Sequence, residues 1–204
     1  MCGAGRTGTY FAFEQEGIVP DICTVGKGLG GGYAAIAGVM ANRKVVEGVN
    51  KAGGLVNGFT YQCHPVACAV AGAVLGVLLR ERLVERCREL GAVLEGLLRR
   101  TLAGRKFVGD IRGRGLFWGV EFVRDREGRV PFEPEADVGG RVQRKAFELG
   151  VAVYPGRATV DGVRGDHVLL APSYTIERAE LERAVAVLGV ACEVVEGELA
   201  GEVW

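Results

Sequence analysis

The chain has 204 residues, 49% of them apolar and 25% charged, and its 25 lysines and arginines balance 25 aspartates and glutamates to a formal charge of zero. That length and composition are those of an ordinary globular protein of one or two domains. The charge balance argues against a nucleic-acid or anionic-membrane partner held by bulk electrostatics. The opening segment, MCGAGRTGTYFAFEQEG, has neither the basic nor the apolar region of a signal peptide. Residues 19–24, VPDICT, predict a short buried strand. After a run of glycines, AAIAGVMA predicts a second buried strand or a mixed apolar segment, because continuous apolar character without alternation suits a strand covered on both faces. From Pro65, PVACAVAGAVLGVLLRER predicts a helix that is apolar all round and therefore buried, with proline in its first turn. LVERCRELGAVLEGLLRRTLAG predicts an amphipathic helix ending near Gly104, with Leu83, Cys87, Leu90, Val93, Leu94 and Leu97 on one face.

The second half alternates more. FVGDIRGRGLFWGVEFV predicts two strands around a turn at Arg112–Gly115, and RDREGRVPFEPEADVG a polar loop. Residues 137–149 predict a helix ending at Gly150, and VAVYP a strand. VRGDHVLLAPSYT predicts a loop, a short strand and a turn, after which Thr175 can cap a last helix reaching about Glu196. The fold class is α/β, with a boundary expected near residue 80. The apolar run after His64 is too short to span a bilayer.

Six cysteines are present, and none forms a CxxC pair. Cys63 and Cys68 flank His64, but no second ligand pair follows at zinc spacing, so buried free thiols are expected rather than a metal site.

The chemistry concentrates at Lys27, in DICTVGKGLGGGYAAIAGVMA. A Walker loop needs a hydroxyl after its lysine, and here Gly28 follows. Gly26, Gly28 and Gly31 spell GxGxxG after a strand, but they lead into YAAIAGVMA instead of an amphipathic helix, which weakens a dinucleotide reading. A Schiff-base lysine at a strand end would want bare backbone around it, so that a flat aromatic aldehyde can approach. An exposed lysine in a flexible loop remains the plain alternative.

The same segment strongly resembles the cofactor-lysine region of the class III pyridoxal-phosphate aminotransferases. MCGAGRTGTYFAFEQEGIVPD before it, NGFTYQCHPVACAVAGAVLGVL after it, and then IRGRGLFWGVEF and GDHVLLAPSYTI resemble further family segments in the family's order. The resemblance covers essentially the whole chain. It implies part of the large mixed-sheet domain of a fold-type I transferase over residues 1–80, and the small α+β C-terminal domain with its linking helix over residues 81–204.

By that resemblance, Lys27 would bind pyridoxal 5'-phosphate as a Schiff base and act as the catalytic acid and base. Thr60, in GFTYQCHP, would donate to the cofactor phosphate of a neighbouring subunit, which implies a homodimer. Taken by itself, Thr60 suits an ordinary turn before the helix from Pro65. Arg164 lies near the family's arginine for the substrate carboxylate, a task that suits a guanidinium; a solvated loop arginine is an equal alternative. Arg6 reads as structural. Arg112 or Arg114 can pair with a carboxylate of the C-terminal domain, and Ser173 replaces a family proline in a local turn. His64 and His167 are not at positions where the family places a base, and His64 suits a capping or packing role at a helix start.

The family also carries, upstream of this region, an aspartate for the pyridinium nitrogen, a glycine-rich phosphate loop and an aromatic ring. None lies in this sequence, which therefore resembles the C-terminal half of such an enzyme. The implied substrates are an amino donor and a keto-acid or aldehyde acceptor. Family members act on ω-amino acids, amines and ornithine, and nothing here selects among them. The implied compartment is the cytoplasm, with the mitochondrion as the alternative. The competing functional reading is a non-catalytic remnant or partner-binding fragment, with an apolar helix that needs covering.

Overall fold

A computed structural model describes residues 1–201. The chain divides into two compact units, Met1–Arg86 and the residues from Cys87 on. The architecture is mixed α and β, as the alternating periodicities require.

In the first unit, β1 (Ile22–Val25) pairs antiparallel with β2 (Gly38–Ala41), Ile22 opposite Ala41. Between them lies a short 3-10 helix, Lys27–Gly30, stopped by Gly31 at φ 59°. Asn42 then caps α1 (Arg43–Lys51) by accepting the Val45 N–H at 3.1 Å. This helix is not among the elements predicted from the sequence. The helix from Pro65 is α2 (Pro65–Arg80).

Burial here departs from expectation. β1 and β2 hold no buried residue, and α2 buries only Ala71 and Leu78. Val66 and Leu79 are 63% and 76% exposed. Apolar composition forces a segment inward only where neighbours exist to cover it, and a two-stranded sheet with one helix offers few.

The helix α3 (Leu83–Leu102) starts just before the division between the units. Its buried stripe is Leu83, Cys87, Gly91, Leu94, Leu98 and Leu102, at spacings of three and four, with Leu90, Val93 and Leu97 half-buried beside it. In the second unit, β3 (Val108–Arg114), β4 (Phe117–Phe122), β5 (Tyr154–Gly156) and β6 (Asp166–Leu170) form one antiparallel sheet in the order β3-β4-β6-β5. The predicted turn at Arg112–Gly115 is shorter: β3 runs through Arg114, which pairs with Phe117, leaving Gly115 and Leu116 to turn.

Alternation sends Ile111, Trp118, Val120, Phe122, Val168 and Leu170 to the buried face. There they join α3, α4 (Val138–Glu148) and α5 (Arg178–Ala200) in one core cluster, whose members all lie from Cys87 on. The start of α5 differs from expectation. Glu177 caps it in a capping box with Glu180, whose carboxylate accepts the Glu177 N–H at 2.9 Å. Thr175 bonds Ser173 instead, at 2.8 Å between hydroxyls. No helix among the described residues is long and apolar enough to cross a membrane.

Candidate active site

Strand β1 delivers Lys27. Gly26 is extended and Lys27 turns sharply at φ 50°, opening the 3-10 helix. A left-handed conformation costs a non-glycine residue about 1–2 kcal/mol. Ala4, Cys63, Arg82, Arg129, Asp137 and Ala158 also take a positive φ, so the conformation shapes the turn at Lys27 as it does at those positions. The sequence gives no direct signal of it beyond the flanking glycines. The side chain of Lys27 is exposed, and among the described residues it makes no ion pair or hydrogen bond.

The glycines around it serve the loop's own packing. A Cβ on Gly28 would stand 3.0 Å from the Ala4 Cβ, one on Gly30 3.1 Å from Ile36 Cγ2, and one on Gly31 2.8 Å from Val74 Cγ2. Gly31 thus sets the 3-10 helix against the middle of α2. Of this run, only Gly32, at φ 83°, faces open space. The loop is bare chiefly because side chains would not fit against its own unit.

Thr60 sits in a turn closed by the Gln62 N–H on the Phe59 carbonyl at 3.0 Å. It is exposed and makes no hydrogen bond among the described residues. Cys63 follows at φ 54°, and His64 caps α2, its Nδ1 accepting the Ala67 N–H at 3.4 Å. That is the capping role expected of His64. Lys27 and Thr60 therefore share one unit and one helix: the first opens the 3-10 helix that packs on α2 through Gly31, and the second lies in the segment that leads into the N-terminus of α2.

Arg164 belongs to the second unit. Its Nε donates to Asp161 Oδ2 at 2.8 Å, and its guanidinium lies 3.6 Å from the Glu133 carboxylate. The Asp161 carboxyl also accepts the backbone N–H of Arg164 at 2.7 Å and of Val163 at 2.9 Å. The Arg164 N–H first, then its guanidinium and the Val163 N–H, hold that carboxyl down at about 2.

On the solvent face of the sheet, Arg112 pairs with Asp110 at 2.9 Å and with Glu121, the internal pairing anticipated from the RGRG turn. His167 stands on the same face with its Nδ1 buried and without a hydrogen-bond partner. Burial first, and then Arg112, push its imidazole below the ordinary range. Gly156, its cross-strand neighbour, must lack a side chain, since a Cβ there would come 2.2 Å from the ring.

Among the described residues no three His, Cys, Asp or Glu side chains group to hold a metal. All six cysteines are free; Cys87 and Cys192 are buried, Cys23 is half-buried, and Cys2, Cys63 and Cys68 are exposed, which corrects the expectation of buried thiols. Exposure follows the thin packing of the first unit, where four of the six lie.

The family profile described as aminotransferase class-III matches residues 1–191. An uncharacterized aminotransferase of Schizosaccharomyces pombe is 47% identical over 189 residues, covering 92% of this chain and 41% of that protein. A transaminase from the marine bacterium Virgibacillus superposes with a TM-score of 0.88 at 32% identity, covering 97% of this chain and 44% of the other. A thermostable (S)-enantioselective omega-transaminase from Thermomicrobium roseum does so with a TM-score of 0.83 at 37% identity, covering 95% and 42%. The chain thus spans about two fifths of the length of the relatives it matches.

Proposed function

Because the chain belongs to the class-III aminotransferase family, we propose that it carries the cofactor lysine and the C-terminal unit of a pyridoxal-phosphate-dependent transaminase. The reaction would move an amino group from an amine or amino acid to a keto acid or aldehyde. The observation that carries this reading is Lys27: a strained, exposed amine at a strand end, without a partner among the described residues.

The donor set fits the cofactor. The Lys27 amine can hold an aldehyde covalently, and the exposed Thr60 hydroxyl, beside turn amides, can donate to a phosphate. When bound, pyridoxal phosphate supplies an electron sink. Lys27 would bind it, leave it to substrate, and carry the proton between the reacting carbons. Thr60 would hold the phosphate of a second subunit in a homodimer. Arg164 would take a substrate carboxylate in competition with Asp161 and Glu133, which already neutralise its guanidinium. We assign residues 1–80 to the cofactor-binding domain and 81–204 to the small domain with its linking helix.

The test is trapping. Pyridoxal phosphate is added to the chain, the adduct is reduced with borohydride, and the labelled peptide is mapped. Label concentrated at Lys27, and lost in Lys27→Ala, supports the reading. Label spread evenly over the exposed lysines overturns it.

A second reading, a non-catalytic partner-binding fragment, draws on the first unit, which gives no residue to the core cluster and leaves much of α2 exposed. Isolation of the chain in a stable complex that lacks cofactor would favour it.

A further inference from the structure

We propose that His64 is a positioning residue for the Thr60 turn: as the N-cap of α2 it fixes the turn through an unprotonated Nδ1, so that protonating the imidazole loosens the turn and its hold on a phosphate. The part concerning phosphate rests on the reading of Thr60 given above; the part concerning the turn does not.

Every residue from 55 to 64 is exposed, so burial does not order this segment. Hydrogen bonds do. Gln62 N–H donates to the Phe59 carbonyl at 3.0 Å, His64 N–H to the Tyr61 carbonyl at 3.3 Å, and Cys68 N–H to the His64 carbonyl at 3.0 Å. The last two meet at His64, whose side chain also accepts the Ala67 N–H at 3.4 Å. The Thr60 turn overlaps the turn that ends at this cap, and Cys63 between them holds a left-handed φ of 54°, a conformation that needs its surroundings to maintain it.

Histidine is an unusual cap. Serine, threonine, asparagine and aspartate accept the first free N–H groups of a helix throughout the neutral range. An imidazole does so only while one nitrogen is unprotonated; as the cation it has no acceptor, and it sets a positive charge against the positive end of the helix dipole. The titratable groups beside His64 are the Tyr61 phenol, its ring 6.0 Å away, and the thiols of Cys63 and Cys68 along the chain. Among the described residues, no carboxylate or cationic side chain bonds His64 to offset the change.

The test is amide hydrogen exchange of the 204-residue chain between pH 5 and 8, corrected for intrinsic rates, in wild type, His64→Ala and His64→Asn. At pH 8, His64→Ala should exchange about fivefold faster at Ala67 and in residues 59–64, matching the loss of a cap. Asparagine should restore protection and abolish its pH dependence. Protection at 59–67 that is flat with pH in wild type, or unchanged in His64→Ala, overturns the positioning role. A second arm compares retention of pyridoxal phosphate with that of pyridoxal. His64→Ala and Thr60→Ala should both weaken the phosphate-bearing form selectively, with asparagine at 64 restoring it. If Thr60→Ala alone weakens it, the coupling between cap and phosphate is wrong. If neither variant matters while exchange responds, the fault lies in the phosphate reading of Thr60, and the cap's control of the turn stands.

Discussion

Arg164 donates through Nε to the carboxylate of Asp161, three residues earlier in the same turn, at 2.8 Å. An arginine free to meet a substrate would be unpaired; this one closes its own loop. Both side chains reach solvent, so the pair orders the turn more than it stabilises the fold. The folded Asp161 carboxyl is held at about 2, below its ordinary 3.8. Its stabilising contribution is therefore complete above the ordinary value and is lost as pH falls through the depressed one. A carbon-detected NMR titration should find the Asp161 midpoint near 2 and, in Arg164→Gln, raised only part of the way to the ordinary value, because the backbone N–H groups of Val163 and residue 164 still bond the carboxylate. A wild-type midpoint at the ordinary aspartate value would show that the pair does not form in solution.

Two glycines, on helices that follow one another in the sequence, should respond oppositely to alanine. A Cβ on Gly91 would lie 2.5 Å from the Cα and carbonyl oxygen of Gly115, which are backbone atoms with no room to move. Gly91→Ala should cost about 1–3 kcal/mol, as overpacking does. Gly72, on α2, has nothing within 4 Å. Gly72→Ala should leave the fold intact and stabilise α2 by up to about 1 kcal/mol. Urea midpoints at constant slope decide both.

The six thiols should fall into two groups. Burial pushes Cys192 up to about 12, so it stays a protonated, enclosed thiol at neutral pH. Cys87 is likewise buried, whereas Cys2, Cys63 and Cys68 are exposed. Reaction with a chromogenic disulfide should be fast at the exposed thiols and slower at half-buried Cys23. Cys87 and Cys192 should react only on denaturation. Rapid native-state modification of Cys192, located by peptide mapping, would contradict the packing of α5.

The first unit should drive association. Val66 and Leu79 on α2 stand 63% and 76% exposed, in a unit that contributes nothing to the core cluster. Exposed apolar surface of this kind favours self-association. Light scattering should show Val66→Glu with Leu79→Glu reducing the size of the 204-residue species, while the thermal midpoint of the second unit is unchanged. No change in size would remove α2 from the associating surface. On the proposed reading Lys27 and Thr60 would supply only part of a preorganised site, so transamination by the chain alone should be negligible; pyridoxal-dependent turnover that is lost in Lys27→Ala would contradict this.

The sequence by itself determined what is local. Pro65 placed the start of α2, the apolar face of Leu83, Cys87, Leu90, Leu94 and Leu97 placed α3, and the runs FVGDIRGRGLFWGVEFV and VRGDHVLLAPSYT marked the segments that become β3, β4 and β6. The glycine-flanked Lys27 stood out because so unusual a composition must answer a backbone requirement. Tertiary structure decided whatever depends on neighbours. It left β1 and most of α2 exposed or half-buried despite their apolar sequences, because the first unit offers them few neighbours. It put the Lys27 glycines to use against Ala4, Ile36 and Val74, contacts that composition cannot show. It engaged Arg164 with Asp161 and Glu133, and made Glu177 the cap where Thr175 had looked suitable, because a hydroxyl or guanidinium bonds whichever partner the folded chain brings within about 3 Å. Periodicity and capping are properties of a few consecutive residues. Burial and pairing belong to the arrangement of segments distant in sequence, and only the fold fixes them.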